Sequence, residues 1–598
     1  MNTGRALIRA LAARLSRQDI FGRLPDNFGT ENRRLVLQSL IVGAAVWGPA
    51  FLLKLVVHET FDLVLSLLAE LPVYFIIIPL VVGAVTVAYI ATRARTATLS
   101  YYDQRGRVHE LIDMEGDGLE RAIALYYASE PSFERALLGK EGVEARWELP
   151  TVSLAFRKFA ATWATLGSGG SGGLEASVAL MGESVAAAMF KPRQPLQRIG
   201  RQLSWLRRPL SWWTTSEVNH LQTAQLSGIA AGVARLAGVP FMSAFFAAEV
   251  MCRRRPLIEK LIYSLIATLV AYFLSTVVHI GHRGLFQVET LYLPPEDWRY
   301  YGTVLLMSLL IALLSLYFIR VRQTVDRLFH QRIGNLWSRQ IAGALVTATV
   351  AIGVVMVTNG VMNREEALHL VLSTGDLTIE RAMAGQLTLF IALVALTGKI
   401  ITTTATIGSG GSAGLLIPAL YLGTMVASMF GAVLPFEPMT LIVPAMTASL
   451  VSIVNVPMAA MLLPVELFSA HYLPPALLAV VVCAILTEDR SLYRTQRETF
   501  DDREIVPGVA VRRMMVPVNW DRRTLIELDL RRRFNVTVIG LLELGEGTGR
   551  ARVRMDPSAT SVLNIGDTVV VLGSEEDLDR LERHIHQRVT QVEEEIGA

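Results

Sequence analysis

Cysteine is nearly missing. The 598 residues include only Cys252 and Cys483, too few for a disulfide framework, and no Cys/His group has zinc-ligand spacing. Redox and metal chemistry are therefore not expected, and neither is a bound metal or cofactor. Charge is scarce too: 18 % of residues are charged, against roughly 25 % in an ordinary globular chain. A soluble chain of this length would make about four domains, each with a charged surface. This composition cannot supply them. The 56 basic and 53 acidic side chains leave a net charge of +3, which gives no argument for a nucleic-acid partner. What the chain has instead is 52 % hydrophobic residues and a mean hydropathy of +0.41, the composition of a polytopic membrane protein.

The average conceals a boundary. Residues 491–598 hold 16 basic and 19 acidic side chains and read as a soluble domain over 505–590, after a linker at 491–504 and before an acidic tail at 591–598. Met1 to Pro25 lacks an apolar core of signal-peptide length. There Arg5, Arg9 and Arg14 alternate with Leu7, Leu11 and Leu15 at helical spacing, so residues 1–33 read as a basic helix on the cytosolic surface. Residues 34–490 form the membrane body. Apolar runs near 35–57, 72–92, 257–281, 301–319, 340–358 and 387–400 approach the length that crosses about 30 Å of hydrocarbon. Arg93, Arg95, Arg320 and Arg322 follow such runs, which places those ends, and both termini, in the cytoplasm. The expected location is a bacterial inner membrane.

Five further apolar segments, 163–190, 226–250, 403–435, 441–470 and 473–487, are broken by glycine and proline. Unpaired backbone groups cost several kcal/mol each in lipid, so broken helices persist only where protein or a polar cavity surrounds them. Two of these segments repeat. Ala164-Thr165-Leu166-Gly167-Ser168-Gly169-Gly170-Ser171-Gly172-Gly173-Leu174 returns 241 positions later as Ala405-Thr406-Ile407-Gly408-Ser409-Gly410-Gly411-Ser412-Ala413-Gly414-Leu415, identical at nine of eleven positions. Val239-Pro240 opens a run ending at Glu249, and Val456-Pro457 opens one ending at Glu466, each glutamate nine residues after its proline. Two ordered pairs with equal internal spacing mark a duplication, with repeats at about 34–255 and 256–490. Repeated halves with interrupted helices point to a transporter or channel whose site lies between them.

A glycine-rich loop entering a half-helix makes an anion site from unpaired N–H groups and the positive end of the helix dipole. Both repeats have that form. The backbone of Leu174, Glu175 and Ala176 on one side, and of Gly414, Leu415, Leu416 and Ile417 on the other, is the expected cradle. Such dipoles hold an anion weakly enough to release it, as conduction requires. Glu175, which aligns with Leu416, would compete with the anion when ionised and clear the path when protonated. That makes it the candidate gate.

These residues resemble the CLC chloride channels and chloride/proton exchangers. Gly173-Leu174-Glu175-Ala176-Ser177 is similar to that family's Gly-Arg/Lys-Glu-Gly-Pro motif. Ser412-Ala413-Gly414-Leu415-Leu416-Ile417-Pro418 is similar to its Gly-Ile-Phe-x-Pro region, and Tyr493 matches its pore tyrosine. The resemblance implies two inverted repeats, bound chloride and a homodimer with one pore per subunit. Departures accompany it. Where the family has a Gly-Ser-Gly-Ile-Pro motif, the nearest sequence is Gly116-Asp117-Gly118-Leu119-Glu120, whose carboxylate would repel an anion unless protonated or turned away. Leu174 replaces a basic residue. Alignment through Val239-Pro240 puts Val250 where the exchangers carry an inner proton-relaying glutamate, which favours a channel, or an exchanger whose protons take another route such as water; Glu249 and Glu466 read as structural.

In the tail, Val511–Val516, Val536–Leu542 and Thr568–Leu572 read as strands, and Leu525–Arg533 and Glu576–His584 as helices. The stretches Thr524–Leu530, Asn535–Ile539 and Ile565–Gly573 resemble the RCK C-terminal (TrkA-C) domain over about 505–590, which implies dimerisation and a small effector such as a cyclic dinucleotide, the alternative being a stabilising cap without a ligand. The fold class expected is thus an all-α polytopic body with two inverted repeats of broken helices, plus a small cytosolic α/β domain. Three rivals are weaker. Gly169-Gly170-Ser171-Gly172 with His471 matches an intramembrane serine protease pattern, yet Ser171 recurs as Ser412, unlike a unique nucleophile. A cation channel lacks a Thr-Val-Gly-Tyr-Gly filter. A non-conducting sensor would be distinguished by the absence of flux.

Overall fold

The computed structural model of the chain describes residues 30–93, 99–102, 108–111, 114–127, 151–190, 218–251, 258–278, 285–286, 290–487, 492–493, 503–506, 509–517, 520–544, 551–564, 567–574, 577–578 and 580–581. The expected N-terminal helix, the acidic tail, Cys252, Arg95 and most of the 491–504 linker lie outside the described residues. Among those described, seven helical segments are long and apolar enough to cross a membrane: Arg33–Leu68, Val73–Arg93, Lys260–Val277, Trp298–Arg332, Leu336–Val357, Leu389–Gly408 and Ala470–Thr487.

The membrane body runs α1 (Thr30–Leu68), α2 (Ile77–Arg93), a hairpin of β1 (Leu99–Tyr102) and β2 (Val108–Leu111), α3 (Leu119–Tyr127), α4 (Val152–Gly167), α5 (Glu175–Phe190), α6 (Val218–Ala237), α7 (Pro240–Met251) and α8 (Ile258–Val277). The second half continues with α9 (Trp298–Arg332), α10 (Leu336–Val357), α11 (Arg364–His369), α12 (Asp376–Met383), α13 (Leu389–Gly408), α14 (Leu416–Gly431), α15 (Pro438–Val454), α16 (Pro457–Leu467) and α17 (Leu473–Thr487). Glycine and proline set the breaks as the sequence predicts. α4 stops at Gly167 and α13 at Gly408, before Gly169 and Gly410, both at φ +104°. Gly238, at φ +72°, separates α6 from α7, and Asn455, at φ +61°, separates α15 from α16.

Three expectations change. The 473–487 segment is a continuous helix, because Pro474 and Pro475 fall in the first turn of α17, where a missing N–H costs nothing. Arg320 and Arg322 follow the apolar run but not the end of its helix: they lie within α9, which continues to Arg332. The hairpin, with Leu99 opposite Leu111 and Tyr102 opposite Val108, was not foreseen.

α5 and α14 are the half-helices. Each has 16 residues, 13 of them buried, and at 1.5 Å per residue each reaches only about 24 Å, short of a bilayer's hydrocarbon. Their surroundings are protein, as interrupted helices require: α5 packs on α6, and α14 on α15. The halves are tied by matched hydrogen bonds. Gly173 donates to Gly414 O at 2.7 Å and Gly414 to Gly173 O at 2.6 Å, while Gly172 donates to Ser373 O and Ala413 to Gly116 O. Ser171 N donates to Thr406 Oγ1 as Ser412 N does to Thr165 Oγ1, and the Ser171–Thr403 and Ser412–Thr162 hydroxyl pairs are both 2.9 Å. Each bond has its counterpart with the repeats exchanged, the signature of a twofold relation between the halves.

The tail carries a five-stranded antiparallel sheet, β3 (Arg503–Val506), β4 (Val509–Met515), β9 (Thr568–Ser574), β6 (Thr537–Leu544) and β7 (Ala551–Met555) in spatial order, and a two-stranded pair of β5 (Arg523–Thr524) with β8 (Val562–Leu563). Burial alternates along β9, whose Val569 and Val571 join Met514, Trp520, Leu541 and Leu578 in a separate core. The single helix expected over Leu525–Arg533 is split into α18 (Leu525–Leu528) and α19 (Leu530–Phe534) by Asp529, at φ +42°. The Ser574 hydroxyl and the Asn535 amide donate to Asp577, holding its carboxyl below the ordinary value. A depressed carboxyl stabilises the fold above the unfolded value and loses that effect as pH falls through the folded one.

Candidate functional site

The site is assembled from three loops and two helix N-termini. Gly116 and Gly118 both adopt positive φ, +69° and +85°, so the chain turns sharply on either side of Asp117. A side chain on Gly118 would meet the Lys158 Cε at 2.7 Å, which keeps that position bare. The turn delivers Asp117 to the first turn of α14. One carboxylate oxygen, Oδ1, accepts the Leu119 N–H at 3.0 Å, within its own loop. The other, Oδ2, accepts the Leu415 N–H at 2.9 Å and the Tyr493 hydroxyl at 3.4 Å. The amide and hydroxyl expected to face an anion therefore face a carboxylate of the same chain.

Glu175 is the first residue of α5, as Leu416 is of α14. Its side chain is only 3 % exposed and lies against the backbone N–H groups of Ile417 and of Glu175 itself. Its Oε2 has no hydrogen-bond partner, so one oxygen of a buried carboxylate is left unsatisfied, an expensive state. Two carboxylates of the first repeat thus occupy the N-terminus of one helix of the second, Asp117 at Leu415 and Glu175 at Ile417. Leu174, Ala176, Leu416 and Gly414 are buried around them.

Sequence reasoning missed the lysines. Lys158 Nζ donates to the Gly116 and Met114 carbonyls at 2.9 and 3.3 Å and lies within electrostatic reach of Asp117 and Glu115. Lys399 Nζ donates to the Ser373 and Leu372 carbonyls at 2.8 and 3.3 Å and sits over the Tyr421 ring. The two are 241 positions apart, the period of the repeat, and extending the comparison seven residues upstream of Thr165 and Thr406 finds them. Glu115 is bidentate to Arg339 at 2.8 and 2.9 Å. On the opposite side of Glu175, Lys54 and Asp376 are its charged neighbours. There the His58 ring meets two acceptors, Lys54 O at 2.8 Å and Asp376 Oδ2 at 2.9 Å, which suits an imidazolium with two N–H donors.

Other expected residues fall elsewhere. Val250 is buried in the main apolar core of the body. Glu249 accepts the N–H groups of Met458 and Ala459 at 2.9 and 2.8 Å, capping α16, and Glu466 accepts those of Phe241 and Met242 at 2.9 and 2.8 Å, capping α7. Ser171 pairs with Thr403, while His471 pairs with Ser469, so the protease pattern is not assembled.

The geometry has counterparts among known proteins. A family model described as voltage gated chloride channel matches residues 129–488, and a TrkA-C domain model matches residues 511–586. An uncharacterised protein of Methanocaldococcus jannaschii is 20 % identical over 270 residues, 45 % of this chain and 64 % of the relative. The H(+)/Cl(-) exchange transporter ClcA of Vibrio vulnificus is 25 % identical over 286 residues, 45 % of this chain and 57 % of the relative. The alignments therefore span less than two thirds of these curated relatives. The crystal structure of a CLC-type fluoride/proton antiporter superposes with a TM-score of 0.57 at 19 % identity, covering 78 % of this chain and 99 % of that one.

Proposed function

The chain belongs to the voltage gated chloride channel (CLC) family, whose model spans more than half of it, and from that premise we propose that it carries chloride or a similar small anion across a bilayer through the junction of its two repeats. The observation that carries this reading is the buried Glu175 carboxylate, set at the N-terminus of α14 with one oxygen unsatisfied. A group held there at such cost occupies a place fitted to an anion. Glu175 is the gate: ionised, it fills the site, and protonated it releases the Ile417 amide to the ion. The anion-binding groups are the backbone amides of Leu415, Leu416, Ile417, Glu175 and Ala176, within loops that include Leu174 and Gly414, together with the Tyr493 hydroxyl.

Proton-coupled exchange is the form favoured by the relatives, one named an H(+)/Cl(-) exchange transporter and one a fluoride/proton antiporter. Uncoupled conduction is the second reading, favoured by the non-titratable Val250. The resemblance further suggests a homodimer in a bacterial inner membrane with cytoplasmic termini and a nucleotide effector on the tail.

Anion efflux from liposomes with simultaneous external pH recording separates the forms. Efflux accompanied by stoichiometric proton uptake means exchange; efflux with valinomycin and no proton movement means a channel. Glu175→Gln is expected to weaken the pH dependence of efflux between pH 5 and 8, since the neutral amide mimics the protonated gate and removes the part of the response that Glu175 supplies. A flux-competent Glu175→Gln protein with an unchanged pH response removes Glu175 from gating.

A further inference from the structure

We propose that Asp117 is a second gate in series with Glu175, a carboxylate that stands in for the anion at the Leu415 amide and the Tyr493 hydroxyl and gives up that place only on taking a proton. The inference rests on the transport reading and deepens it, because it assigns the path a second titratable group, which Val250 cannot supply.

The hydrogen bonds carry the argument. Asp117 is met by three donors, the N–H groups of Leu119 and Leu415 and the Tyr493 hydroxyl. An ionised carboxylate is acceptor-only and satisfies all three. A protonated one has a hydroxyl of its own, which either displaces an N–H donor or turns onto the Tyr493 oxygen and reverses that bond, so the set of three donors is not kept. The Leu119 bond closes a turn two residues long, whereas the Leu415 bond joins residues 298 apart, and the long-range bond is the one that rotation of the side chain releases. A helix cap of the kind Glu249 and Glu466 provide would account for the Leu415 bond alone; the Tyr493 hydroxyl on the same oxygen completes the set of groups expected to face an anion.

Charge balance sets the coupling. Asp117 and Tyr493 are 8 % and 2 % exposed, and a change of net charge in so dry a place is costly. The groups facing Asp117 are Lys158 from α4, Glu120 on α3, and Tyr493; Glu115 adjoins Lys158 but is paired with Arg339, and Glu175 lies beyond Tyr493. From α14 the partner is a backbone amide. With Lys158 held on the Gly116 and Met114 carbonyls, an anion added beside an ionised Asp117 leaves two negative charges against one ammonium. An anion entering as a proton enters leaves the charge unchanged, so the site exchanges one carboxylate charge for one anion.

The test uses the full chain in detergent with Glu175→Gln, which silences the first gate. Chloride binding is followed by calorimetry from pH 5 to 8, and proton uptake by an indicator dye in weak buffer. The expected result is binding about tenfold tighter for each pH unit of acidification above the Asp117 titration, with about one proton taken up per chloride. In Glu175→Gln/Asp117→Asn and Glu175→Gln/Asp117→Ser, binding is expected to persist without slope and without proton uptake. Asn retains an acceptor for the turn, so the pair of variants separates folding from gating. pH-independent binding by Glu175→Gln overturns the proposal and leaves the transport reading intact, as does a slope that survives in either double variant. Absence of chloride, fluoride and nitrate binding in all three proteins at every pH overturns the transport reading and this proposal with it.

Discussion

Two sets of acidic residues in the membrane body differ in how they treat the duplication. Glu249 and Glu466 are exchanged by it: each carboxylate caps the first N–H groups of the other's helix, with distances of 2.8 and 2.9 Å on both sides. Asp117 and Glu175 are not. Glu175 corresponds to Leu416. The matched bonds of Gly116 and Ser373, and the left-handed glycines Gly118 and Gly375 that follow, at φ +85° and +83°, place Thr374 opposite Asp117. Where the halves agree, charge is spent on holding helices. Where they disagree, the first repeat sends carboxylates to the α14 N-terminus, and among the described residues no carboxylate of the second accepts from the first amides of α5. On the proposed reading, function sits in the broken symmetry.

The largest effect should come from the symmetric set. Glu249→Ala leaves the Met458 and Ala459 amides without their acceptor, and hydrogen bonds to a charged group contribute about 1.5–3 kcal/mol each, so a loss of about 3 kcal/mol is expected, read as a lower midpoint of thermal unfolding in detergent. Glu466→Ala should cost less, because Phe241 is 48 % exposed and its amide lies nearer the surface. Equal transport per folded molecule in both variants keeps the comparison; lost pH dependence in either breaks it. A second symmetric pair gives a smaller effect. A Cβ on Gly83 would lie 2.1 Å from Ser168 Oγ and 2.6 Å from Ala164 O, and one on Gly343 2.1 Å from Ser409 Oγ and 2.9 Å from Ala405 O. Gly83→Ala and Gly343→Ala should each destabilise by about 2 kcal/mol, within the usual range for overpacking, as measured by the same melts.

Much of this architecture was legible because glycine, proline and hydropathy act locally. The ends of α4 and α13, the starts of α7 and α16, the duplication and the strands β4, β6 and β9 all follow from short stretches. Long-range pairing was not legible. Glu249 and Glu466 read correctly as structural, but the partner each caps lies more than 200 positions away, and nothing near either residue names it. Asp117 stood out as a misfit beside an anion site. That its Oδ2 would take the Leu415 amide depends on the meeting of two loops 298 positions apart. The continuation of α9 to Arg332 escaped notice because charged residues end an apolar run without ending a helix.

The smallest change sharpens the comparison most. Lys158 and Lys399 each donate to the matched carbonyl, Gly116 or Ser373, and to a second one shortly before it, Met114 or Leu372, so by symmetry their removal should be nearly equivalent. Replacement by Met leaves carbonyls without donors but also removes a buried ammonium whose desolvation opposed folding, and the net loss in each case should be about 1 kcal/mol. Their surroundings differ. Lys158 faces Asp117 and Glu115, whereas Lys399 is within electrostatic reach of Asp376, whose carboxylate already engages the His58 ring at 2.9 Å. Lys158→Met should therefore raise the chloride concentration for half-maximal efflux several-fold, since the anion must then replace Asp117 without a cation beside it, and Lys399→Met should leave that concentration unchanged within about twofold. Efflux titrations on the two variants, matched for thermal midpoint, read the difference directly. Equal shifts in both would assign the lysines a purely structural role and place the functional asymmetry in the two carboxylates alone.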